Sequence, residues 1–216
     1  MFDNLPYTLL KFFVLTVCLT IHEAAHALAA LWLGDDTAKR QGRLSLNPLV
    51  HMDPLGSLMM LSSAPIGWAK PVPVNPFNIR KPETGLPLVA FAGPLSNLVL
   101  AVLFCWLYSF IGQGLYGSGW HTMLEAFITI NFSLAVFNLL PLLPLDGSKI
   151  VTVFMSDDLA RRFEETWERI GVFPLVIVIG LEFINPGHGP LSLWFRLWRP
   201  VIQPILWVFD VPRVFF

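Results

Sequence analysis

Three apolar runs, residues 6–34, 86–112 and 120–143, each reach the ~20 residues needed to cross hydrocarbon. Wherever such a chain meets lipid it must satisfy its backbone polar groups internally, which favours helices. Composition agrees: 55% of the 216 residues are hydrophobic and 13% are charged, against about 25% charged in soluble domains. The net charge of -1 argues against a nucleic-acid partner. Cys18 and Cys105 lie in separate apolar runs without disulfide or metal spacing, and read as small buried hydrophobes. The first run is not read as a cleaved signal peptide. No basic residue precedes Lys11, and apolar character persists to Leu33.

The rest of the chain divides by its breakers. Residues 35–85 hold Gly42, Pro48, Pro54, Gly56, Pro65, Gly67, Pro71, Pro73 and Pro76, so a long helix is excluded there. A short β-hairpin or re-entrant loop is expected at about 43–76, packed on protein or at the interface. Residues 148–169 pattern as an amphipathic surface helix, and 171–185 form a short apolar stretch that Asn185-Pro186-Gly187 stops. Residues 191–212 contain Arg196 and Arg199, and fit either a tilted span or a surface segment. The expected fold is an all-α polytopic membrane protein with four or five spans. One membrane-embedded domain, 1–216, would comprise a three-span core at about 6–150 and C-terminal amphipathic and hydrophobic helices at 151–216. Basic residues gather in 35–85 (Lys39, Arg40, Arg43, Lys70, Arg80, Lys81) and 144–170 (Lys149, Arg161, Arg162, Arg169), with none in 113–119. The first and third connections are therefore expected in the cytoplasm and the N-terminus outside.

The first run also carries HEAAH, residues 22–26. On a helix His22 and His26 project from one face one turn apart, where they can grip one zinc ion with Glu23 beside them as general base. Ionisable groups inside a span are costly, which favours a functional reading over chance. A catalytic zinc needs a third ligand. No histidine follows at the metzincin spacing, and the first glutamate after Glu23 is Glu83. Asp35 and Asp36 look like a solvated span end, and Asp53 is nearby in sequence. Asp146 is the strongest candidate. It lies in NLLPLLPLDG, 138–147, where Pro141 and Pro144 should unwind the third run and Gly147 permits a sharp turn. Both runs head toward the cytoplasm, so Asp146 and the histidines fall on the same side of the bilayer.

HEAAH in one run and N-x-x-P-x-x-P-x-D-G in another resemble the site-2 proteases, a family of zinc-dependent intramembrane metalloproteases. AGPLSN (92–97), GRLSLNPLVHMDPLGS (42–57) and GWAKPVPVN (67–75) add to the likeness, which covers about residues 15–150. The resemblance implies His22, His26 and Asp146 as Zn2+ ligands and Glu23 as general base. It further implies that Asn138 positions substrate or stabilises the oxyanion; an interhelical hydrogen bond is the structural alternative. It implies a transmembrane protein as substrate. An unwound substrate strand could pair with the edge at 67–75, making Val72, Val74 and Asn75 candidate contacts. Gly93 and Asn97 fit close helix packing. His51 is either a structural loop residue or a transient, inhibitory ligand, while His121 and His188 read as interfacial. Residues 35–85 are too short for the PDZ domain that larger members insert, so a minimal member is expected. The expected setting is the bacterial or archaeal cell membrane, with the site toward the cytoplasm. Two other readings are open: a metal transporter, which would need a polar path across the bilayer, and an inactive binding scaffold, for which Glu23 is unnecessary. The sequence leaves oligomeric state unset.

Overall fold

The computed structural model describes residues 5–61 and 67–211. The first run forms helix α1, Leu5–Trp32. It ends in a Schellman turn: Gly34 takes φ +111, and the Asp35 N–H bonds back to the Ala30 carbonyl at 2.9 Å. A single turn, α2 (Thr37–Arg40), and a short helix, α3 (Pro54–Leu61), follow. The second run is α4, Pro82–Leu107, continued by a π turn to Gly112. The third is α5, Gly119–Asn138. A one-turn helix α6 (Gly147–Ile150) leads to α7 (Asp157–Ile170), α8 (Phe173–Ile184) and α9 (Pro190–Val208).

Helix α4 is central. Small side chains let it approach its neighbours closely: Ala90, Gly93, Ala101 and Cys105 are buried on α4, and Cys18, Ala27 and Ala30 on α1. Phe132, Ile128 and Val136 of α5 fill the main core with Ala101 and Cys105, and Ile202 and Leu206 of α9 close it. Val14 and Cys18 of α1 pack on Phe127 of α5. The opposite face of α4 exposes Leu88, Leu95, Val99, Leu103 and Trp106. A stripe of large apolar residues along a whole helix suits lipid, not water. Helix α1 and the α4 continuation, Pro82–Gly112, are long and apolar enough to cross a membrane. Helix α5 has 20 residues but is diluted by His121, Glu125, Asn131 and Asn138, so it lacks the apolarity of the other two.

Three expectations change. The hairpin at 43–76 does not appear as such: among the described residues there is one isolated antiparallel bridge, Met52 to Ala69, and residues 54–61 are helical. Pro71, Pro73 and Pro76 remove the N–H groups that a ladder would need. Residues 62–66, within the expected hairpin, and residue 212, at the end of the last expected segment, lie outside the described residues. Asp35 is not a solvated end but fully buried. Its Oδ1 accepts from the Thr37 N–H and Asn78 Nδ2, both at 3.0 Å, and its Oδ2 from the Asn75 N–H at 2.7 Å. The amphipathic segment is split: α7 starts at Asp157, after a turn of 3-10 helix at Val151–Phe154.

Candidate metal centre

One helical turn of α1 sets His22 and His26 on the face that meets α4, and both are buried. Their outer ring nitrogens are each held by an acceptor. His26 Nδ1 lies 2.7 Å from the Val89 carbonyl, and His22 Nδ1 lies 2.7 Å from Asn97 Oδ1. The orientation of that asparagine is fixed by a relay. Asn131 Nδ2 donates to the Phe127 carbonyl at 2.8 Å, and Asn131 Oδ1 accepts from Asn97 Nδ2 at 2.8 Å, which leaves Asn97 Oδ1 toward His22. A neutral imidazole that donates through Nδ1 carries its lone pair on Nε2. In the neutral form both Nε2 atoms are free to act as ligands, and they lie only 3.0 Å apart.

The third member arrives from α5. Pro141 ends the helix at Asn138, as a proline restricts the residues before it. The chain turns through 139–146 and restarts at Gly147, placing Asp146 Oδ2 3.2 Å from His22 Nε2 and 3.3 Å from His26 Nε2. The unwinding strands the Val136 carbonyl, because the Leu140 N–H bonds to Phe137 instead. Trp194 Nε1 of α9 captures it at 2.7 Å. Three potential ligand atoms thus converge on one point. Zn–N and Zn–O bonds of ~2.0–2.1 Å in a tetrahedron put donor atoms about 3.3 Å apart, which is the size of this triangle. The donor set, its hydrogen-bonded outer nitrogens and its spacing fit one zinc ion.

Gly93 leaves room for this arrangement: a Cβ there would meet His26 Nε2 at 2.3 Å and His22 Cε1 at 2.6 Å. Glu23 is buried beside the histidines, and its Oε2 accepts the Val72 N–H at 3.0 Å. The structure therefore brings together His22, His26, Asp146 and Glu23, and sets Val72 against Glu23. It places the other candidates elsewhere. Asn138 donates to the Leu134 carbonyl of its own helix at 2.9 Å, so its amide supports α5 rather than a neighbouring helix. His51 is buried, with Nε2 2.8 Å from the Ser45 carbonyl, and stands apart from the triad. Val74 packs near Ile79 and Ala30. Asn75 gives its N–H to Asp35 and caps the Phe77 N–H through Oδ1. Sequence reasoning took Asn97 and Gly93 for packing and passed over Asn131. A polar residue in an apolar span was the signal available for both asparagines.

Comparison with known proteins agrees with this geometry. Residues 113–178 match the model of Peptidase family M50. The chain is 36% identical over 217 residues to "Putative zinc metalloprotease YwhC" of Bacillus subtilis (strain 168), covering 93% of this chain and 97% of that one. Rip2 of Mycolicibacterium smegmatis, which carries the same description, is 27% identical over 203 residues, covering 88% of this chain and 76% of the relative. Rip2 of Mycobacterium tuberculosis H37Rv is 28% identical over 204 residues, with 92% and 72% covered. No solved structure matches. With zinc as its cofactor and a membrane as its setting, the chain belongs to peptidase family M50, the site-2 protease family of metalloproteases.

Proposed function

We propose that the protein is an intramembrane endopeptidase that hydrolyses peptide bonds within or near transmembrane segments of other proteins. The observation that carries this reading is the triangle of ligand atoms, His22 Nε2, His26 Nε2 and Asp146 Oδ2, beside a buried Glu23, on a helix long enough to span the bilayer. Bound to those three residues, zinc supplies a Lewis acid for the scissile carbonyl and eases deprotonation of the attacking water. Glu23 takes that proton and hands it to the leaving amine nitrogen. Asn97 and the Val89 carbonyl keep both imidazoles turned inward throughout. Asn138, where α5 ends, and Val72, Val74 and Asn75 of the 70–75 segment are proposed to guide an unwound substrate. A cleft of about 600 Å³ between α1, α5 and the α8–α9 pair, lined by Leu15, Ile130, Leu134, Phe137, Ile179 and Phe195, supports lateral entry of an apolar helix. Helix α5 is proposed as a third span. The basic connections support placement in a bacterial or archaeal cell membrane with the site toward the cytoplasm.

The test uses detergent-purified full-length chain and a single-span model helix whose middle carries a Gly/Pro helix-breaking stretch. Wild type is expected to cut this probe within the apolar stretch. Glu23→Gln should retain about one zinc per chain and lose at least ~10²-fold in kcat. Zinc-loaded wild type that cuts neither this probe nor unfolded casein would overturn the protease reading in favour of a binding scaffold.

A further inference from the structure

Glu23 sits in an apolar span, yet one of its oxygens is held by a backbone N–H from a loop 49 residues away. Residues 69–75 are clamped on both sides of that donor. Before it, Ala69 bridges to Met52, the Lys70 N–H bonds to the His51 carbonyl at 2.8 Å, and the Lys70 carbonyl accepts from buried Arg43. After it, the Asn75 N–H bonds to buried Asp35 at 2.7 Å. Pro71 and Pro73 have no N–H, so Val72 is the sole backbone donor between Lys70 and Val74. Their fixed φ also stiffens the stretch that carries it. His51, which joins no metal-ligand group among the described residues, anchors the strap here through its backbone carbonyl.

We propose that the Val72 backbone N–H is the positioning donor for Glu23, and that the 69–75 strap exists to deliver it. The bond fixes Oε2 and leaves Oε1 to carry the proton. A buried carboxylate without such a partner is free to rotate away from the attacking water, and a general base must be held within hydrogen-bond reach of its proton. The inference rests on the protease reading for its catalytic meaning, but the bond itself can be read without turnover.

The experiment compares Val72→Pro, which removes the N–H and exchanges the side chain for a ring in an already proline-rich stretch, with Val72→Ala, which truncates the side chain but keeps the N–H. Turnover of the single-span model helix is measured with zinc content. Val72→Pro is expected to lower kcat at least ~10-fold with KM within about twofold and about one zinc per chain. Val72→Ala should rescue kcat relative to Val72→Pro. An unchanged kcat in Val72→Pro, a loss confined to KM, or an equal loss in both variants would overturn the proposal. A second measurement covers misfolding of the proline variant and absence of turnover alike. In 15N-valine-labelled, zinc-loaded protein, the Val72 amide proton should resonate downfield and move upfield in Glu23→Gln, as its acceptor loses its charge. No movement would overturn the proposal even if the enzyme is active, and a clear movement would sustain the bond even if the protease reading fails.

Discussion

A methyl group on residue 93 would sit 2.3 Å from His26 Nε2. Backbone on α4 cannot yield that much without shifting the α1–α4 seam, so the histidine must leave. Gly93→Ala is therefore expected to retain helical content by circular dichroism, yet to lose ~10-fold or more in zinc affinity by competition with a chelating dye. A variant that binds zinc as wild type does would show that the ligands relax around the methyl. Residues were unevenly legible at this scale. HEAAH spoke because covalent spacing alone sets two side chains on one helical face. Asp146 could be reached by elimination, since its prolines announced the turn that carries it. Asn97 and Asn131 could not be assigned, because their meaning lies in a relay across three helices, with 75 residues between Asn97 and His22.

Among elements, the link between the end of α1 and the strap depends on one carboxylate. Burial on its own raises the Asp35 carboxyl, but hydrogen bonds from Thr37, Asn78 and Asn75 outweigh it and hold the group below its ordinary value of 3.8. A group depressed in the folded state stabilises fully above its unfolded value, and loses that contribution as pH falls through its folded one. Melting temperature in detergent should therefore fall as pH drops from about 5 to about 3. Asp35→Asn should flatten that descent and destabilise the protein at pH 7 by on the order of 2 kcal/mol. An identical pH profile in the variant would show that other carboxylates govern acid lability. The sequence made α1, α4 and α5 legible because long apolar runs leave few alternatives. It misled at 43–76, where alternating residues resembled strands. Tertiary hydrogen bonds, not a ladder, hold that region extended: Lys70 to His51, Val72 to Glu23 and Asn75 to Asp35.

Across the whole molecule, the C-terminal pair α8–α9 is tied to the chemistry through Trp194. Its indole N–H occupies the Val136 carbonyl that unwinding of α5 leaves open, one turn before the loop to Asp146. Trp194→Phe keeps most of the packing and removes this donor. It should cost about 1–3 kcal/mol in stability, and release zinc to a chelator faster than wild type does. Equal release rates, followed by stopped flow, would confine Trp194 to packing. The coupling could not be read from the sequence, where Arg196 and Arg199 made 191–212 ambiguous between span and surface.

The donor triangle also has a history within each round of synthesis. His22 and His26 are made early, and Asp146 follows about 120 residues later, a gap of roughly 6–24 s at elongation rates of about 5–20 residues per second. During that interval α1 is already available for insertion, but the third donor does not yet exist. The zinc site of a nascent chain is therefore incomplete until the turn that trails α5 has folded back onto α1.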